Sequence, residues 1–376
     1  MQLEMSMMVN LKVRFNWDVY KMKVGILNVQ WLNNMGSVLL AFAVQKKLDQ
    51  MGIENEVINF MTQKLEENGE IPSVHKEEKA SSFKKIENFN KFRKNHLRLS
   101  REYVGLSEVD NLDYDGYILS SDTVWTPLRV HDNEAYMFYF EFCKEKPVKK
   151  ISWAASIGSE SEKDLDMMKP ILKERLKNFD YISVRERETV DFVQSLTDKN
   201  VIHAMDPVLM LDKNDYDELI EKSENEFDNY IYAYLFDNVE GGYETINKLS
   251  SHTNLPVISN VKDLTRIDNL LLDSEDDGPC EMLDKIANAD FIITDSFHVM
   301  IYAILCKKPF VAYSRVGSGI RLRNMLEDLD LSSKFLLHDE DGFEEILKPI
   351  DYEHVFEIIG EWRDSTMEFL SNALND

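Results

Sequence analysis

From Lys23 onward the chain alternates short apolar runs with segments whose apolar residues recur at helical spacing. No other feature limits the fold as much. Lys23-Val-Gly-Ile-Leu-Asn-Val29 has the length and composition of a buried parallel strand. A polar loop with Asn33, Asn34 and Gly36 follows. From about Ser37 to Gln50 the spacing becomes helical, and Gly52 stops the helix. Ile53 to Phe60 reads as the next strand. Strand, loop, helix and strand make a βαβ unit with a right-handed crossover.

The pattern then repeats. Strands are expected at Gly116–Leu119, Lys150–Ala154, Tyr181–Val184 and Val201–Ala204, with helices at Glu162–Asn178 and Glu186–Leu196. The acidic stretch Leu211–Asp228 lacks a strong strand and separates this series from a second. The second runs through strands Tyr230–Phe236, Pro256–Ser259, Phe291–Thr294 and Pro309–Tyr313. Its helices are Tyr243–His252, Glu281–Ala289, Phe297–Leu305 and Ile320–Asp328, and Asp351–Leu374 reads as a final long helix. The expected organisation is an N-terminal extension over 1–21, doubly wound α/β domains over 22–212 and 228–350, and a terminal helix over 351–376. Such sheets bind ligands beyond the carboxyl ends of their strands, so a cleft between the domains is the expected site. Thr62–Glu78 reads as a polar loop. Phe83–Tyr103 reads as one basic amphipathic helix, either a solvated face over a core stripe or a positive rim that guides an anionic substrate.

Charge narrows the partners. Lys and Arg number 43 against 68 Asp and Glu, a formal net charge of −25. That field repels phosphate backbones and anionic bilayers, so neither nucleic acid nor a stable membrane insertion is expected. A small anion held by a few local cations remains compatible. Cys143, Cys280 and Cys306 form no CxxC pair or disulfide lattice, which suits a reducing compartment. Met1–Lys21 lacks the sustained apolar core of a signal peptide, so a cytoplasmic protein is expected.

Several strand ends carry chemistry. The loop Asn28–Ser37 precedes a helix N-terminus that can face an anion, but it is neither GxGxxG nor a P-loop. Ser120-Ser-Asp-Thr-Val-Trp-Thr-Pro127 offers Asp122 to the cleft, while Trp125 is better suited to core packing than to sugar stacking. Arg185 and Arg187 share a face if the strand continues through them, and can grip phosphate or carboxylate or pair with Glu186 and Glu188. In Thr294-Asp-Ser-Phe-His298, Asp295 or Ser296 can cap a helix whose first turn carries His298, a group able to move a proton. Tyr313-Ser-Arg-Val-Gly-Ser-Gly-Ile-Arg321 places Arg315 and Arg321 around a glycine-containing loop, a second anion cradle or a plain turn. The histidines show no zinc spacing and no HExxH motif.

The joint order of these segments from about Met22 to Leu331 resembles the polysaccharide pyruvyl transferase family. The resemblance rests on Asn33-Asn34-x-Gly36, Tyr114-Asp-Gly-Tyr-Ile-Leu-Ser-Ser-Asp-Thr-Val-Trp125, Ile151-Ser-Trp-Ala-Ala-Ser156 and Phe179-Asp-Tyr-Ile-Ser-Val-Arg-Glu186. Asp206-Pro207, Gly278-Pro279, Asn288-Ala-Asp-Phe-Ile-Ile-Thr-Asp-Ser-Phe-His298 and Arg315 complete it. It implies two Rossmann-like domains in a glycosyltransferase-B-like pair. It also implies transfer of a pyruvyl group from phosphoenolpyruvate to hydroxyls of a sugar, free, nucleotide-linked or lipid-linked, in cell-surface or exopolysaccharide synthesis. His298 takes the acid/base role on this resemblance, and Arg185 and Arg315 map to the donor pocket. Asn33, Asn34 and Asp122 would orient the acceptor, with Gly36, Ser296 and Arg321 also in the site. Phosphoenolpyruvate is the donor substrate, and no cofactor or metal is expected. The family usually has Gly where this chain has Val299, which suggests a narrower pocket or a different substrate. A nucleotide-sugar glycosyltransferase and a non-catalytic sugar-binding relative are the alternatives.

Overall fold

The apolar run that opens the chain pattern is β1 (Lys23–Leu27), the middle strand of an all-parallel sheet. The computed structural model describes residues 22–61, 82–104, 106–126, 133–158, 161–220, 227–236, 241–313, 319–336 and 343–375. The N-terminal extension, the Thr62–Glu78 loop and the Arg315 loop therefore lie outside the described residues. The sheet adds β2 (Glu54–Met61), β3 (Leu99–Val104), β4 (Gly116–Leu119) and β5 (Lys149–Ser152) in the order β3-β2-β1-β4-β5. Two further parallel strands, β6 (Ile182–Val184) and β7 (Val201–His203), attach to β5 through Ile151–Tyr181 and Ala155–Val184 bridges.

The second sheet repeats this winding. It contains β8 (Ile231–Tyr234), β9 (Val257–Ser259), β10 (Leu270–Asp273), β11 (Phe291–Thr294), β12 (Phe310–Tyr313) and β13 (Phe335–Leu336). Their order is β10-β9-β8-β11-β12-β13. In each sheet the order reverses beside the first strand, between β1 and β4 and between β8 and β11. Crevices open at such points.

Helices of eight residues or more are numbered in chain order: α1 (Met35–Gln50), α2 (Phe83–His96), α3 (Glu162–Arg175), α4 (Gly242–Thr253), α5 (Pro279–Asn288), α6 (Phe297–Leu305), α7 (Gly319–Asp328) and α8 (Tyr352–Asn375). Two of them depart from ordinary amphipathicity. Every residue of α6 is buried, and α1 is buried continuously from Met35 to Gln45. A helix that is apolar all round must be enclosed on all sides. Both belong to one apolar cluster that also takes in Val24 and Ile26 of β1 and Tyr232 of β8, so this core runs through both units.

Two expected helices are corrected, and two strands are added. The basic segment Phe83–Tyr103 is not one helix: α2 ends at His96 and β3 begins at Leu99. Arg98 and Arg101 mimic a continuing cationic face, but Arg98 immediately precedes the edge strand and Arg101 lies within it, where Arg98 binds Asp49 and Arg101 binds Glu108. Strands β10 and β13 are additional to the expected ones; they form the two edges of the second sheet, and Leu270 and Leu271 of β10 are exposed there. Glu186–Leu196 is not a continuous helix: a 3-10 turn at Arg187–Thr189 precedes a short helix, Val190–Gln194.

Helix α8 returns to the first unit. Thr366 Oγ1 accepts the Met205 N–H at 3.0 Å, and Trp362 donates to the His203 carbonyl. Arg363 donates to the carbonyls of Leu209 and Leu211 at 2.6 and 2.5 Å and to Asp212 at 2.7 Å. Arg363→Met keeps the aliphatic stem and leaves those acceptors unpaired. A loss of about 1–3 kcal/mol is expected, read as a lower urea midpoint.

Candidate active site

The first crevice is framed by the loop between β1 and α1. Asn34 caps α1, its Oδ1 accepting the Gly36 N–H at 2.8 Å. Asn33 is held by Arg93 of α2, whose guanidinium donates to Asn33 Oδ1 at 3.1 Å and to the Gln30 and Leu32 carbonyls at 2.6 Å. Burial lowers the Arg93 pKa to about 10. Sequence alone counted Arg93 among the helix cations; its role as the clamp on this loop depends on α2 crossing beside it.

Beyond β4, Asp122 has φ 138°, a conformation that non-glycine residues rarely adopt. Its carboxylate accepts the Thr123 N–H at 2.7 Å and the Ser37 hydroxyl at 3.1 Å. The loop after β4 is thus fastened to the first turn of α1. Trp125 is fully buried and stacks on Tyr139 at 5.9 Å, as core packing requires.

A buried charge cluster lies beside these loops. Arg185 follows β6 and is 2% exposed. Its Nε donates to Glu186 Oε1 at 3.1 Å, and its Nη1 to Asp206 Oδ2 at 3.2 Å and Ser121 Oγ at 3.3 Å. The neighbouring carboxylates outweigh burial and raise its pKa further. Glu186 Oε1 also accepts from Ser156 at 2.7 Å. Asp206 caps the turn at Pro207, its Oδ1 accepting the Val208 N–H. Arg187 does not share this face. The strand ends at Val184, and Arg187 turns outward to pair with Asp328 of α7 at 2.5 Å.

His298 reaches the cluster from the second unit. Its Nε2 lies 3.6 Å from Asp206 Oδ2, too long for a hydrogen bond but close enough for charge attraction. Burial pushes the Asp206 carboxyl up, but His298 and Arg185 outweigh it and hold Asp206 below its ordinary range. The other edge of the imidazole lies against α1: a Cβ on Gly36 would sit 2.1 Å from His298 Nδ1. The N-termini of α1 and α6 therefore meet here, one from each unit. Phe297 packs its ring under Arg185, 4.4 Å from the guanidinium carbon.

Ser296 is the N-cap of α6 but makes no side-chain capping bond. Asp295 instead accepts the Phe236 N–H at 2.9 Å and ties down the loop after β8. Val299 is fully buried in the shared apolar core. Arg321 is half-buried in the first turn of α7, and Arg315 lies outside the described residues. The structure thus joins Asn34, Gly36, Asp122, Arg185 and His298 through residues not proposed as site residues: Ser37, Ser121, Glu186 and Asp206. Asp206-Pro207 was visible as a motif, but nothing in its local pattern showed which groups it would meet.

Two Rossmann-like units meeting across strand-end loops, with a histidine from one seated on the other, define a glycosyltransferase-B-like protein. The family model for polysaccharide pyruvyl transferase matches residues 34–315, and the chain belongs to that family, a family of transferases. General stress protein 30 of Bacillus subtilis is 27% identical over 174 residues, covering 45% of this chain and 48% of that protein. The chain spans about half the length of this curated relative. Among solved structures, UDP-GlcNAc 2-epimerase from Neisseria meningitidis, bound to UDP-GlcNAc, matches with TM-score 0.52 at 11% identity, covering 93% of this chain and 100% of that chain. UDP-N-acetylglucosamine 2-epimerase from Rickettsia bellii matches with TM-score 0.52 at 11% identity, covering 94% and 97%. These likenesses concern the fold. No helix among the described residues is long and apolar enough to cross a membrane.

Two substitutions test this geometry. In an ordinary helix Gly→Ala stabilises by about 1 kcal/mol. At Gly36 the new methyl must displace His298, so Gly36→Ala should instead destabilise by about 1–3 kcal/mol in urea unfolding. Asp206 has a depressed folded-state pKa, so its ionised form favours folding. That contribution is complete above the unfolded-state pKa and vanishes as pH falls through the folded one. Asp206→Asn should be less stable at pH 7 and lose less stability between pH 7 and pH 3 than the wild type.

Proposed function

We propose that this protein transfers a pyruvyl group from phosphoenolpyruvate to hydroxyls of a sugar during cell-surface or exopolysaccharide synthesis. The observation that carries the reading is His298. Its Nε2 has no hydrogen-bond partner among the described residues, and it stands where two helix N-termini meet, inside the stretch matched by the family. Helix N-termini favour the negative charge that phosphoenolpyruvate brings.

The chemistry needs one mobile proton near the donor. C3 of phosphoenolpyruvate takes a proton from His298, and C2 becomes electrophilic. A sugar hydroxyl oxygen bonds to C2 and releases its proton. The bond from C2 to the phosphate oxygen breaks, and phosphate leaves with its electron pair. A second hydroxyl closes the ketal, so two hydroxyl protons replace the one consumed and the surplus leaves on phosphate. Arg185 takes part through Nη2, which has no partner among the described residues, while its other nitrogens hold Glu186 and Asp206. Arg315 and Arg321 remain the proposed additional anion contacts. Asn33, Asn34 and Asp122 shape the acceptor side indirectly, because their side chains already hold the loops.

A nucleotide-sugar glycosyltransferase is the second reading, supported by the UDP-GlcNAc-bound fold relative. Thermal unfolding with phosphoenolpyruvate, and separately with UDP- and GDP-sugars, distinguishes them. A ligand at 100 times its Kd adds about 2.7 kcal/mol. Stabilisation by phosphoenolpyruvate, with sugar-dependent phosphate release, is expected. His298→Gln should keep that stabilisation and lose about 10²–10⁴-fold in phosphate release. Full turnover in His298→Gln would remove its proton-transfer role. Stabilisation by nucleotide sugars alone would favour the glycosyltransferase.

A further inference from the structure

Leu27 forms the last rung between β1 and β4: its carbonyl accepts the Ser120 N–H at 2.9 Å. The next residue, Asn28, is 1% exposed, and neither its Oδ1 nor its Nδ2 has a hydrogen-bond partner among the described residues. Successive side chains in a strand point to opposite faces. Val24 and Ile26 belong to the apolar cluster that carries α1, the 207–210 turn and α6, whereas Leu27 and Val29 belong to the cluster behind the sheet. The alternation puts Asn28 on the face of Val24 and Ile26, the face that also holds Gly36, Asp206 and His298. A buried amide with both halves unpaired is costly in a folded protein and calls for a specific reason.

We infer that Asn28 is a ligand-reading residue for the hydroxylated substrate, binding a sugar hydroxyl at the first crevice. The chemistry of the amide selects this class. Nδ2 needs an acceptor and Oδ1 needs a donor. Phosphate and carboxylate oxygens only accept, so an ionised donor leaves Oδ1 unsatisfied. A sugar hydroxyl both donates and accepts, and neighbouring hydroxyls on one ring serve both halves. Asn28 therefore reads the acceptor rather than the anion, and the two substrates are separated by bonding type within one buried site. This assignment deepens the pyruvyl-transfer reading and rests on it for the sugar's role as acceptor.

The test compares wild type, Asn28→Leu and Asn28→Ala in urea unfolding and in thermal shift. Leucine matches the amide in size and removes both unpaired atoms. Asn28→Leu should be at least as stable as wild type without ligand; a clearly lower urea midpoint would mean that the amide is satisfied within the fold and would overturn the assignment. The ligand probes are UDP-, GDP- and dTDP-linked hexoses, each with and without phosphoenolpyruvate. Any hexose that stabilises the wild type should lose at least tenfold in affinity in both variants, while phosphoenolpyruvate keeps its affinity. Equal hexose affinity in wild type and variants, or no stabilisation of the wild type by any of these hexoses, overturns it. If hexose discrimination depends on Asn28 but phosphoenolpyruvate never binds, the pyruvyl reading fails and the Asn28 assignment stands.

Discussion

The contact between Gly36 and His298 is the joint on which the rest of the molecule depends. Each residue sits in the first turn of a helix from a different unit. Both helices lack a solvent face along this stretch, because each is covered by the other unit as well as by its own sheet. Enclosure on that scale leaves no room at the crossing, and only a residue without a side chain lets the imidazole pass. The same closeness delivers His298 to Asp206, so a steric condition on one backbone position sets the electrostatics of a carboxylate elsewhere in the chain.

The charges around that joint are arranged as an alternating chain. Glu186, Arg185, Asp206 and His298 follow one another, each carboxylate flanked by a nitrogen-bearing group. Desolvating such groups is expensive unless each has a partner. Arg185 acts first as the counter-ion of two acids, which leaves a single nitrogen for anything else.

Much of the fold is legible in the sequence, and particular residues show why. Phe291–Thr294 and Phe297–Leu305 are buried along their whole length and apolar except at Thr294 and His298, so their boundaries can be read directly. Leu99–Val104 cannot be read this way: this edge strand contains Arg101, follows Arg98 directly and so continues the cationic pattern of the preceding helix. The site divides along the same line. His298 is visible because a histidine just after a strand end is locally unusual, and Arg185 because of its place beyond a strand. Asp206 looks like an ordinary turn residue before proline, and its partners Ser121, Arg185 and His298 come from distant stretches of chain. Asn28 is hidden for a different reason: a polar residue ending an apolar run reads as the start of a loop, and only burial reveals that its amide lacks partners.

The last helix also bears on how the protein is made. The 24 residues of Tyr352–Asn375 cover the 203–212 segment of the first unit, the segment that contains Asp206. The ribosome must pass this helix before that surface can be sealed. The first unit therefore waits, with part of its apolar core uncovered, through the synthesis of the whole second unit. Closure of the segment that carries Asp206 is therefore a late event, gated by the synthesis of Trp362, Arg363 and Thr366.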